Sequence, residues 1–128
     1  MADRPVRILL VDDDLDIRAC AGEILASAGY DVDVAANGQE ALHALDRARF
    51  DVVVLDLTMP VMSGWQFLEA AAARRDRACF RVVVLTAERP ESPLPVDAIL
   101  HKPASVEALI AAVRACVAAL VSTAPTGS

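Results

Sequence analysis

Lysine is nearly absent from this chain: of twelve basic residues eleven are arginine, and Lys102 is the only compact ammonium the fold can use. Basic charge is also outweighed. A net charge of −6 argues against a general nucleic-acid or anionic-membrane surface, so no direct nucleic-acid contact is expected. The opening Met1-Ala2-Asp3-Arg4-Pro5 has no apolar stretch of signal-peptide length, and no run approaches transmembrane length, so the expectation is a cytoplasmic protein with no membrane partner. Cysteine is scarce and odd in number. Cys20, Cys79 and Cys116 lie far apart among apolar neighbours, which fits buried free thiols in a reducing compartment better than a disulfide or a zinc site. No Gly-x-Gly-x-x-Gly follows the first apolar run, which weakens a Rossmann half as a reading of the pattern below.

What is present is a set of apolar runs with polar ends. Ile8-Leu9-Leu10-Val11 ends in Asp12-Asp13-Asp14, Val52-Val53-Val54-Leu55 in Asp56, Val82-Val83-Val84-Leu85 in Thr86, and Ala98-Ile99-Leu100-His101 in Lys102. With 128 residues, 55% of them hydrophobic, the chain can bury one proper core. Helical patterns fall between the runs. Asp14 can cap a helix with an Ile17, Ala21, Ile24, Leu25, Ala28 stripe that stops at Gly29. Tyr30, Val32 and Val34 alternate with Asp31 and Asp33, the mark of a strand that is wet on one face at a sheet edge. Asn37-Gly38 opens a helix carrying Ala41, Leu42 and Leu45, and Trp65, Leu68 and Ala72 begin another after the loop from Met59-Pro60 to Gly64. Ser105 can cap a last helix with Val106, Leu109, Ile110, Val113, Val117 and Leu120 on one face. The domain is expected over residues 1–121, with 122–128 a disordered tail or linker stub rich in Ser, Thr, Pro and Gly.

Five β-α units with right-handed crossovers build an α/β, doubly wound parallel sheet with helices on both faces. With the second strand at an edge, the natural order is 2-1-3-4-5. One unit is short. Only Ala87 to Val96 joins the fourth strand to the fifth, and it contains Pro90, Pro93 and Pro95. A parallel crossover needs roughly ten to twelve residues, and a proline inside a helix costs about 3 kcal/mol. The fourth of the five helices is therefore expected to be missing or vestigial; the alternative is a short helix starting at Pro90.

Strand ends of one parallel sheet meet along one edge, where α/β proteins bind ligands. Asp12, Asp13 and Asp56 gathered there would repel one another unless a cation is present, and hard carboxylate oxygens suit Mg²⁺. A carboxylate can also act as a nucleophile toward phosphorus. Asp56 is the candidate, because it ends a central strand and precedes the loop Leu57-Thr58-Met59-Pro60, which can present backbone groups. Phosphoryl transfer depends on positioning and charge neutralisation, roles open to Mg²⁺, to Lys102 and to a hydrogen bond from the Thr86 hydroxyl.

Val11-Asp12-Asp13, Asn37-Gly38-Gln39-Glu40-Ala41-Leu42, Leu55-Asp56-Leu57-Thr58-Met59-Pro60 with Gly64, Leu85-Thr86-Ala87 and Lys102-Pro103 together resemble the signature of two-component receiver domains, from about Arg7 to Leu120. The resemblance implies a flavodoxin-like fold with Asp56 as phospho-acceptor, supplied by a histidine kinase or a histidine phosphotransfer protein. It implies that Asp13, Asp56 and the Thr58 carbonyl bind Mg²⁺ directly and Asp12 through water. Thr86 and Lys102 complete the site, Leu57 and Ala87 flank the phosphate, and Thr58 and Glu88 tune hydrolysis of the acyl phosphate. On this reading the chain is no enzyme beyond its own phosphorylation and dephosphorylation.

Three departures from the family pattern concern output. Ile99 stands where an aromatic switch residue is usual, Ala104 where phenylalanine often follows Lys-Pro, and the fourth helix is expected to be lost. Signalling to the unknown downstream protein is therefore expected through another face, either the first and fifth helices or a mobile Pro-rich loop, and homodimer formation is left open. Two other functions were weighed. A phosphorylation-independent binding module would not need the acids and the lysine. A small-molecule phosphatase would need a second acid beside its nucleophile, which Leu57-Thr58 does not supply. His43 and His101 read as a solvated helix position and a strand residue, not as catalytic groups.

Overall fold

A computed structural model describes residues 5–57, 59, 61–73, 80–87 and 96–122. The elements run β1 (Arg7–Val11), α1 (Leu15–Ser27), β2 (Asp31–Ala35), α2 (Gly38–Arg47), β3 (Val52–Leu55), α3 (Gly64–Ala72), β4 (Arg81–Thr86), β5 (Ala98–His101) and α4 (Val106–Ser122). All strand pairs are parallel, and the sheet order is β2-β1-β3-β4-β5, as expected. Four helices are found among the described residues, and α4 is the last of the expected series. The expectation of a missing or vestigial helix falls on residues 88–95, which lie outside the described residues, as do Cys79 and all of the expected 122–128 tail except Ser122.

Alternation along the central strands splits the core into two layers. Leu9, Val11, Val53, Leu55, Val82 and Val84 join one buried cluster with residues of α2 and α3. Ile8, Leu10, Val52, Val54, Val83 and Leu85 join the other with residues of α1 and α4. Both faces of β1, β3 and β4 are therefore dry beyond Arg7 and Arg81, which open β1 and β4, and this is why the runs that follow carry no polar residue until they end. Each fully buried aliphatic side chain contributes about 1.5–3 kcal/mol relative to exposure. The edge strand β2 is wet, and Arg7 spans its charge, with Nη2 2.9 Å from Asp33 and Nε 3.7 Å from Asp31.

Helix starts follow local chemistry. Asp14 accepts from the amides of Asp16 and Ile17, Asn37 from Glu40 and Ser105 from Ala108, while Ser63 and Gln66 form a reciprocal capping box. Gly29 ends α1 with φ 99°, a backbone conformation that glycine adopts freely.

Several burial expectations are corrected. Cys20 is exposed on α1, and only Cys116 of the described thiols is buried. Ala28 and Ala72 are exposed, and in α3 the inward positions are Phe67, Leu68 and Ala71. Val34 and Val106 are exposed because each lies at the margin of its layer, in the edge strand and in the first turn of α4. The last helix continues to Ser122, one residue beyond the expected domain end, and the Lys102–Pro103 peptide bond is cis.

Candidate functional site

Register brings the acids together. Val11 pairs with Leu55 across β1 and β3, so the next residues, Asp12 and Asp56, emerge side by side. The Asp56 amide donates to the Val11 carbonyl at 2.9 Å, and the Lys102 amide to the Thr86 carbonyl at the same distance. Thr86 and Lys102 thereby reach the same edge of the sheet. Asp12, Asp56 and Thr86 are the described buried polar residues, at 1%, 5% and 0% exposure.

Carboxylates removed from water need compensation. Lys102 supplies part of it, with Nζ 2.9 Å from Asp12 Oδ2 and 3.4 Å from Asp56 Oδ2. Burial opposes the charge on this ammonium, yet the hydrogen bond and charge of Asp12, with those of Asp56, outweigh it and hold Lys102 above the ordinary lysine range. Asp13 is exposed at the mouth. Oxygens of Asp12, Asp13 and Asp56 all lie within 4.8 Å of one another, and no histidine or cysteine of the described residues joins them. An all-oxygen donor set open to water on one side fits Mg²⁺.

The loop after Asp56 is held against it by α3. The Gly64 amide donates to the Leu57 carbonyl at 2.9 Å, and a Cβ at position 64 would collide with the Asp56 carbonyl oxygen and stand 2.7 Å from Leu57 Cα. The start of α2 closes on the same loop: the Gly38 amide donates to the Met62 carbonyl at 3.0 Å, and a Cβ there would lie 2.8 Å from Met62 Cγ. Between them Val61 has φ 71°, a strained conformation for a β-branched residue.

Of the other expected site residues, Leu57 is fully buried and Ala87 is exposed beside Thr86. Thr58 and Glu88 lie outside the described residues. Ile99 is 37% exposed on β5. His43 and His101 are exposed. One contact was missed by sequence reasoning: Arg18 Nη1 donates to the main-chain oxygen of Asp12 at 2.8 Å. Its signal was an arginine one turn into the helix that Asp14 caps. Beside Lys102, a cavity of about 460 Å³ opens between α1 and the start of α4, lined by Ile17, Cys20, Ile24, Pro103, Val106 and Leu109 among others.

Comparison with known proteins agrees with this geometry. Residues 8–114 match the family model of the response regulator receiver domain. The response regulator MprA of Mycolicibacterium vanbaalenii is 37% identical over 117 residues, covering 87% of this chain and 50% of that protein. The transcriptional regulatory protein TcrA of Mycobacterium tuberculosis is 34% identical over 116 residues, covering 86% and 45%. The chain thus spans about half the length of the curated relatives it matches. Among solved structures, the chemotaxis response regulator CheY4 of Vibrio cholerae superposes with a TM-score of 0.80 at 33% identity, covering 88% of this chain and 99% of that one. The response regulator TrrA of Thermotoga maritima, solved in complex with Mg²⁺ and beryllofluoride, gives 0.76 at 34% identity, covering 87% and 98%.

Proposed function

This chain belongs to the response regulator receiver family of two-component signalling, and on that premise we propose that it accepts a phosphoryl group on Asp56 from a phosphohistidine donor. The observation that carries this reading is the convergence of three carboxylates with one lysine bound to two of them. An Asp56 carboxylate oxygen forms a bond to phosphorus as the phosphorus–nitrogen bond of the donor breaks. The electron pair stays on the leaving imidazole, which takes up a proton from solvent. Lys102 releases its longer contact, to Asp56, and turns to the incoming phosphoryl oxygens. The Thr86 hydroxyl donates to another of them, and backbone groups of Leu57 and Ala87 flank the phosphate.

Asp12, Asp13 and Asp56 would hold Mg²⁺, which when bound offsets the charge of the transferring group. The donor is a histidine kinase or a histidine phosphotransfer protein. The chain acts as a switch or relay rather than as an enzyme turning over a separate substrate.

Output is read by a partner through an unusual face. Support comes from Ile99 and Ala104 at positions where the family usually has aromatics, and from the open cavity between α1 and α4 next to Lys102. Amide chemical shifts with and without beryllofluoride in Mg²⁺ test both parts. Binding in the wild type, its loss in Asp56→Asn and shifts reaching α1 and α4 are expected. Absence of binding overturns the acceptor assignment, and shifts confined to β4, β5 and their connection overturn the output assignment.

A further inference from the structure

Resting on the phospho-acceptor reading above, we propose that Arg18 is a positioning residue that holds the β1–α1 loop so that Asp12 and Asp13 present their carboxylates to the cation. Three bonds fix that loop. The Asp12 amide donates to the Ala35 carbonyl at 3.1 Å, the Asp12 carboxylate accepts from the Asp14 amide at 2.9 Å, and Arg18 Nη1 donates to the Asp12 carbonyl at 2.8 Å. Arg18 is itself anchored, because its amide donates to the Asp14 carbonyl at 3.0 Å in the turn that Asp14 caps. Asp13 therefore sits between two pinned neighbours, while its own side chain stays exposed beside Asp12 and Asp56.

The choice of acceptor matters. Lys102 binds carboxylate oxygens of Asp12 and Asp56 and so competes with any cation for them. Arg18 instead binds a main-chain oxygen, so it does not compete for the carboxylate oxygens, yet it places a guanidinium beside the acids. A charge-assisted bond of this kind is among the stronger ones a loop can make. Arg18 touches none of the reacting atoms and acts only through Asp12 and its neighbour.

Positioning and simple electrostatics make opposite demands on an alanine variant. Removing a positive charge beside three acids should by itself tighten Mg²⁺ binding. Loss of the loop anchor should weaken it, by roughly ten- to a hundredfold, as is usual when a partner behind a metal ligand is removed. The test is Mg²⁺ titration of wild type, Arg18→Ala and Arg18→Lys, followed by the amide resonances of Asp12 to Asp14. The phosphorylation rate with acetyl phosphate is measured at saturating Mg²⁺ in parallel. The expected result is weaker binding in Arg18→Ala, recovery of most of the rate at saturating Mg²⁺, and affinity within a few-fold of wild type in Arg18→Lys. Equal or tighter binding in a folded Arg18→Ala overturns the proposal, as does an Arg18→Lys variant as weak as alanine. A wild type that binds no Mg²⁺ overturns the acceptor reading and this proposal with it, so the two failures are told apart.

Discussion

Lys102 is bound more closely to Asp12 than to Asp56, at 2.9 Å against 3.4 Å. The residue proposed to react is thus the one the lysine holds less tightly, and on that proposal Asp12 would keep the ammonium in place during modification of Asp56. Removing the lysine leaves two buried carboxylates facing each other. Lys102→Met is expected to lose about 1–3 kcal/mol of stability in Mg²⁺-free buffer. Added Mg²⁺ should restore more stability in the variant than it adds to wild type, because its competitor is gone. Thermal melts with and without Mg²⁺ check this, and equal Mg²⁺ stabilisation of both proteins would contradict it.

The same ion pairs set a pH dependence. The folded-state pKa of Lys102 is raised above its unfolded value, since Asp12 and Asp56 outweigh the opposing effect of burial. Its contribution is fully present below the unfolded lysine value, about 10.4, and is lost as pH rises through the higher folded value. On the alkaline side, urea unfolding of wild type against Lys102→Met should show the stability gap narrowing above about pH 10 and not before. A gap that closes between pH 7 and 9 would rule this out.

Gly64 is expected to tolerate no side chain. The atoms a Cβ would meet are backbone atoms of Asp56 and Leu57, which cannot swing aside as a flexible side chain can. Gly64→Ala should cost about 1–3 kcal/mol, in the range of overpacked cores, and should weaken beryllofluoride binding by displacing Asp56. Urea denaturation and a beryllofluoride titration measure the two effects. A variant of wild-type stability and affinity would show that the loop yields at no cost.

Val61 offers the opposite case. It is 73% exposed at φ 71°, so its side chain gains little from packing while the backbone is strained. Val61→Asn is expected to raise stability by about 1 kcal/mol, because asparagine adopts this conformation more easily. Denaturant midpoints decide it, and a destabilised variant would mean that the valine packs in a way that offsets its strain.

The places of Asp12, Asp56 and Thr86 at strand ends were legible because a dry central strand can admit a polar residue only where it ends, whereas Lys102 follows β5, an edge strand with Ile99 and His101 exposed. The helix caps at Asp14, Asn37 and Ser105 were legible for a similar local reason. Burial on helices was read less well. Cys20 was expected buried from its apolar neighbours and Val106 from its place on the last helix's stripe, yet both border the open cavity between α1 and α4, where helix periodicity does not say how far the next element extends. The bond from Arg18 to the Asp12 carbonyl was missed, since it joins a side chain to a main-chain atom and its one signal is the place of the arginine a turn into the helix that Asp14 caps.

The most direct measurement is intact-mass analysis after acetyl phosphate treatment in Mg²⁺, comparing wild type with Asp56→Asn. The expected result is a single phosphoryl adduct on wild type, prevented by EDTA addition before the reaction and absent from the variant. An unmodified wild type, or an Asp56→Asn variant labelled to the same extent, would contradict the assignment of Asp56 as the acceptor.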